Sequence, residues 1–175
     1  NRVRSLFPTP QPVTTTTIKQ AIRYNEQLSA DGGTEVLPAL RQALKSPQDR
    51  SRLQQIILLT DGQVGNEEDL FELLHHRIGT RRLFTIGIGS TPNNHLMRKA
   101  AESGRGTFTS IGNVNEVKDK LDGLFKKLER PVLNDIMIEQ TGWSGLEQYP
   151  AQIADLYEGE PIVLSIKAGS LPPQA

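Results

Sequence analysis

The chain has 175 residues and no cysteine, and its 20 basic and 20 acidic side chains give a formal net charge of zero. Hydrophobic residues make up 36% and charged residues 23%, enough apolar content for a core and evidence against disorder. This composition lacks the basic excess of a general nucleic-acid footprint, excludes disulfides and thiolate metal sites, and contains no apolar run near the roughly 20 residues of a membrane span.

The opening "NRVRSLFP" begins on Asn1 and reads as the continuation of a longer chain. "VRSLF" alternates in a β-like way until Pro8, Pro10 and Pro12 interrupt it. In "VTTTTIKQAIRYNEQLSADGG", Ile18, Ala21, Ile22 and Leu28 fall near helical spacing. Threonines offer an N-cap, and Gly32 and Gly33 offer a stop. "TEVLPALRQALKS" puts Val36, Leu37, Leu40 and Leu44 on one stripe, with Pro38 tolerable only in the first turn of a helix. "LQQIILLT" is a short continuous apolar strand of the kind buried on both faces of a parallel sheet. "NEEDLFELLHHRI" is a helix with acids in its first turn and His75, His76 and Arg77 in its last, which suits the helix dipole. "RLFTIGIG" is the next strand, and "STPNNHLMRKAAESG" a helix with Pro92 near its start and Gly104 as its stop. "GTFTSI" is a strand, and "NVNEVKDKLDGLFKKLE" a helix whose stripe is Val117, Leu121, Leu124, Phe125 and Leu128.

From Leu53 to Glu129, strands and helices alternate, the pattern of a doubly wound, mostly parallel α/β sheet flanked by helices. Before Leu53, two helices follow each other without a strand, so the sheet is expected to lack its first strands and to expose an apolar edge along Leu53–Thr60. Beyond Pro131 the helical periodicity ends. Residues 132–175 carry a net charge of −5, leaving +5 on 1–131, and "VLNDIMIEQ" and "EPIVLSIKA" read as strands. Two units are therefore expected: residues 1–131, and 132–175 as a β-rich segment of a second module.

Asp61 ends the apolar strand, where open α/β sheets bind ligands. In "ADGGTEV", two glycines allow a close backbone approach and Thr34 offers a hydroxyl just before a helix. A carboxylate and a hydroxyl are hard oxygen ligands suited to Mg²⁺, Mn²⁺ or Ca²⁺, although either motif alone also serves as an ordinary turn or cap. "GIGSTPN" places Pro92 where a dinucleotide fingerprint needs glycine, so it reads as a helix capped by Ser90 or Thr91. His75 and His76 lack zinc-helix spacing, and "GWSG" around Ser144 lacks that of a nucleophile elbow. Arg41, Lys45, Arg50 and Arg52 read as a solvated face or, alternatively, a protein contact. Trp143 reads as a core or junction residue.

Taken together, "DGGTEVLPAL", "IILLTDGQVGNEEDLF", "RLFTIGIGSTPNNHLMRKAAESGRGTF" and "EVKDKLDGLFKKLERPVLNDI" resemble the later two-thirds of a von Willebrand factor A domain. The closest flavour is that of inter-alpha-trypsin inhibitor heavy chains and similar bacterial, sortase-anchored surface proteins. The resemblance implies a metal-ion-dependent adhesion site, with Thr34 and Asp61 matching two of its elements around Mg²⁺ or Mn²⁺. The Asp-x-Ser-x-Ser loop that completes such a site is expected upstream of Asn1, so metal binding by this chain alone is expected to be weak or absent. Also implied are an extracellular or surface location, a protein ligand that offers a carboxylate, and no catalysis. Two alternatives are a structural module with a degenerate site and, less favoured, a metal-dependent phosphohydrolase, for which no acid–base pair stands beside Asp61.

Overall fold

A computed structural model describes residues 3–29, 33, 35–49, 51–61, 65–89, 93–139, 145–157 and 161–169. In chain order its elements are α1 (Thr15–Glu26), α2 (Val36–Ala43), β1 (Gln55–Thr60), α3 (Glu67–Arg77), β2 (Arg82–Ile88), α4 (Asn94–Ser103), β3 (Phe108–Ile111), α5 (Val117–Leu128), β4 (Pro131–Leu133), β5 (Glu147–Tyr149), β6 (Leu156–Tyr157) and β7 (Ser165–Lys167).

The two continuous apolar runs become neighbouring strands. β1 and β2 pair in parallel, with Ile56 opposite Leu83 and Thr60 opposite Gly87, and β2 pairs in parallel with β3, Thr85 opposite Phe108. The order is β1-β2-β3, so β2 is central among the described strands. Successive β2 side chains leave opposite faces. Leu83 joins Leu40, Leu70, Leu74 and Met97 from α2, α3 and α4, while Phe84 and Ile86 join Leu124 and Leu128 of α5. Helices thus cover both faces, as the strand–helix alternation requires. On the first face, the buried Thr85 Oγ1 donates to Met97 O at 2.8 Å, so the one hydroxyl in this apolar strand is satisfied by α4.

Several local expectations change. Val3–Phe7 forms no strand, because alternation alone gives an extended segment no hydrogen-bonding neighbour. α1 forms behind a Thr14–Thr17 capping box but buries no residue. It ends with Gln27 as its cap, before the glycines, and leaves Ile18 and Ile22 about half exposed. β1 is not buried on both faces: among the described strands it lies at the sheet edge, most of its side chains are half-buried, and Leu59 is 48% exposed, in line with the apolar edge expected there. The α5 stripe packs through Val117, Leu121, Leu124 and Leu128, but Phe125 turns outward. The α4 N-cap is Asn93, whose side chain accepts from Leu96 N at 3.0 Å, rather than Ser90 or Thr91, which lie outside the described residues.

Beyond α5, the expected strands are shorter than "VLNDIMIEQ" and "EPIVLSIKA" suggest. β4 pairs antiparallel with β6, and β5 with β7, as two small ladders outside the parallel sheet. Ile153, Asp155 and Tyr157 are buried. Tyr157 packs edge-on to Phe84 at a 6.0 Å ring separation, and the Lys127 ammonium sits 5.0 Å from the centre of its ring. This segment therefore closes the α5 face of β2.

Candidate functional site

The carboxyl ends of β1 and β2 lie level, since Thr60 pairs with Gly87. Asp61 is the next residue after Thr60 and is exposed. Asn66 takes the left-handed conformation (φ 56°) where the chain enters α3, and Gly89 (φ 91°) leaves β2 in a region that favours glycine. The starts of α3 and α4 are tied together, with Asn93 Nδ2 donating to Glu67 Oε1 at 2.7 Å. Asn93 thus caps α4 and fixes it to the start of α3. Sequence reasoning missed this role because Ser90 and Thr91 competed for the cap, although Asn93 directly before the helix was a usable signal.

Thr34 lies outside the described residues, as do Arg50, Trp143 and Ser144. Of the two residues expected to hold an ion, only Asp61 is therefore located. Its donor chemistry fits a hard cation, and its position at a strand's carboxyl end fits a ligand edge. Among the described residues, however, no three His, Asp or Glu side chains converge as a metal cage. His75 and His76 are exposed on the last turn of α3, their rings edge-to-face at 5.2 Å, as helix-end surface residues.

At the opposite end of the sheet, Arg82 opens β2, fully buried. Its Nε and Nη2 donate to Asp155 at 2.6 and 2.9 Å, Nη2 also reaches Asp135 at 3.2 Å, and Nη1 donates to Thr80 O at 2.7 Å. Arg105 Nη1 donates to the same Asp135 oxygen, Oδ1, at 2.6 Å. Burial opposes the Arg82 charge, but the Asp155 and Asp135 carboxylates more than offset it, so its pKa stands above the ordinary arginine value. From the sequence, Asp135 and Asp155 stand out only as two of the acids behind the tail's negative charge. The available signal was an acid flanked at i±2 by apolar residues in "IADLY", an alternation that turns Asp155 inward.

A family model for the von Willebrand factor type A domain matches residues 1–109. The chain belongs to the von Willebrand factor A domain family. A von Willebrand factor A domain-containing protein of Dictyostelium discoideum is 29% identical over 149 residues, covering 85% of this chain but only 16% of that protein. Human von Willebrand factor A domain-containing protein 5B1 is 26% identical over 163 residues, covering 91% of this chain and 13% of that protein. The chain therefore spans about a sixth or less of these relatives. A solved von Willebrand factor type A structure from Catenulispora acidiphila superposes with a TM-score of 0.69 at 22% identity, covering 85% of this chain and 37% of that one, and shows the same fold. A-domains generally serve as protein-interaction modules and commonly bind a metal, and homologues of this kind are generally non-enzymatic. No helix among the described residues is long and apolar enough to cross a membrane.

Proposed function

We propose that this A-domain is a metal-ion-dependent adhesion module of an exported, surface or extracellular protein. The Asp61 carboxylate, directly or through water, and the Thr34 hydroxyl would hold Mg²⁺ or Mn²⁺ together with an Asp-x-Ser-x-Ser loop supplied from upstream. The ion would offer its remaining position to a carboxylate of a protein ligand. The observation that carries this reading is the exposed Asp61 at the carboxyl end of β1, level with the end of β2. Residues 1–131 form the A-domain part in this proposal. Residues 132–175 form a following β-rich unit that docks through Asp155 and Tyr157.

The decisive measurement is partner capture by the protein that carries this chain, with and without chelator, beside Asp61→Ala. Capture should fall to background in both cases while the circular dichroism spectrum stays unchanged. Capture that survives both treatments sinks the adhesion reading. A second reading, a structural interaction module with a degenerate site, is favoured by the lack of a three-ligand cluster among the described residues. It expects capture that is indifferent to chelator.

A further inference from the structure

Arg41 and Lys45 are one turn apart on α2 and its end, and Arg77 is on the last turn of α3. With Leu44 and Leu73 as floor, these three cations line one open crevice of about 240 Å³. All three are exposed, and none makes an ion pair among the described residues. The buried Arg81 stands beside them. It donates to Arg77 O at 3.0 Å and to Ser46 O, joining the ends of the two helices through carbonyls rather than a carboxylate. Burial holds its pKa below the ordinary arginine value, as expected where no acid faces the charge. Asp49, in the loop after α2, is engaged by Ser51 and Arg52. Asp69, two turns before Arg77 on α3, does not line the crevice.

Cations near helix C-termini have an ordinary role in answering the helix dipole. Two helix ends present roughly one negative charge between them. Four cations exceed that by about three charges, so the dipoles account for only a minor share of the patch. The excess calls for anions, and the Leu44–Leu73 floor calls for an apolar side chain beside them. Nucleic acid fits poorly, because basic and acidic residues balance over the whole chain.

We infer that the crevice between α2 and α3 binds an acidic, apolar-containing segment of a protein partner, its carboxylates on Arg41, Lys45 and Arg77 and an apolar side chain on Leu44 and Leu73. The crevice adjoins Arg81 at the start of β2, the end of the sheet remote from Asp61. A partner could therefore engage it independently of any ion.

The test is fluorescence anisotropy of the 175-residue chain with a short fluorescein-labelled peptide of alternating glutamate and leucine. The expected result is saturable binding that weakens with salt, ignores chelator and falls by about tenfold or more in Arg41→Glu/Lys45→Glu and in Arg77→Glu, as lost charge-assisted contacts imply. Arg41→Gln/Lys45→Gln should fall by less, and circular dichroism should show all variants folded. Equal binding by the charge-reversed variants overturns the proposal, as does equal binding of a glutamine–leucine peptide. Displacement by an equal concentration of inorganic phosphate would reduce the crevice to a simple anion site and also overturn it. None of these outcomes bears on chelator-sensitive capture at Asp61, so the two readings fail separately.

Discussion

Arg82 and Asp155, 73 positions apart in the chain, meet in a two-pronged ion pair with both side chains about 1% exposed. Removing one partner from such a pair costs more than the pair contributes, because the other charge stays buried and unmatched. Asp155→Ala should destabilise the chain by about 3–5 kcal/mol, readable in urea denaturation. Replacing both residues by apolar ones of similar volume should cost clearly less. An Asp155→Ala loss below about 1 kcal/mol would show that the contact contributes little.

The pH dependence of this pair follows from the sign of the Arg82 shift. Its folded-state pKa is raised, so its contribution is fully present below the ordinary arginine value and is lost only as pH climbs through the higher folded value. Urea midpoints of Arg82→Met and the parent chain should not converge between pH 6 and pH 9. A gap that narrows across that window would contradict the assignment.

Gly104 and Gly106 bring the turn after α4 against β2. Leu83 N donates to Gly104 O at 3.0 Å, and a methyl on Gly106 would collide with the Leu83 carbonyl. A backbone atom cannot swing aside as a side chain tip can. Gly106→Ala should therefore cost at least about 1–3 kcal/mol, the range for overpacked sites. Gly123→Ala is the control: a methyl there meets nothing within 4 Å, its site on α5 favours alanine, and stability should hold or rise.

Asn93 serves two helices at once. Asn93→Ala should remove about 1 kcal/mol through the α4 cap, and more through the lost Glu67 contact. In a double-mutant cycle with Glu67→Ala, coupling indistinguishable from zero would show that the bridge between the two helix starts is not energetically real.

The parallel sheet was legible because strand and helix periods alternate so plainly from β1 to α5. The position of Asp61 at the carboxyl end of β1 was legible because the acid directly ends the apolar run. The fate of Ile18 was not legible, since its pattern signals an amphipathic helix while burial depends on what lies alongside. Arg82 was missed for a related reason. A charge that opens an apolar run normally faces water, and only its distant partner Asp155 turns it inward.

Among the described strands, β1 lies at an edge of the parallel sheet, which leads to a prediction about association. Strand edges can recruit other chains, and Leu59 of this strand is 48% exposed. Leu59→Lys should leave stability within about 0.5 kcal/mol and shift sedimentation toward monomer. Unchanged sedimentation from an associating parent would place the contact elsewhere.

The inward residues Ile153, Asp155 and Tyr157 alternate with the half-buried Ala154 and Leu156. A slip of this segment by one residue would offer Arg82 an alanine or a leucine, leave Asp135 as its one carboxylate, shared with Arg105, and push Ile153 and Tyr157 toward water. A slip by two would meet the charge with an aliphatic or aromatic side chain. The single carboxylate therefore works as an index mark: of the settings the apolar alternation would tolerate, only one is electrically neutral. That setting fixes how residues 153–157 lie against the start of β2.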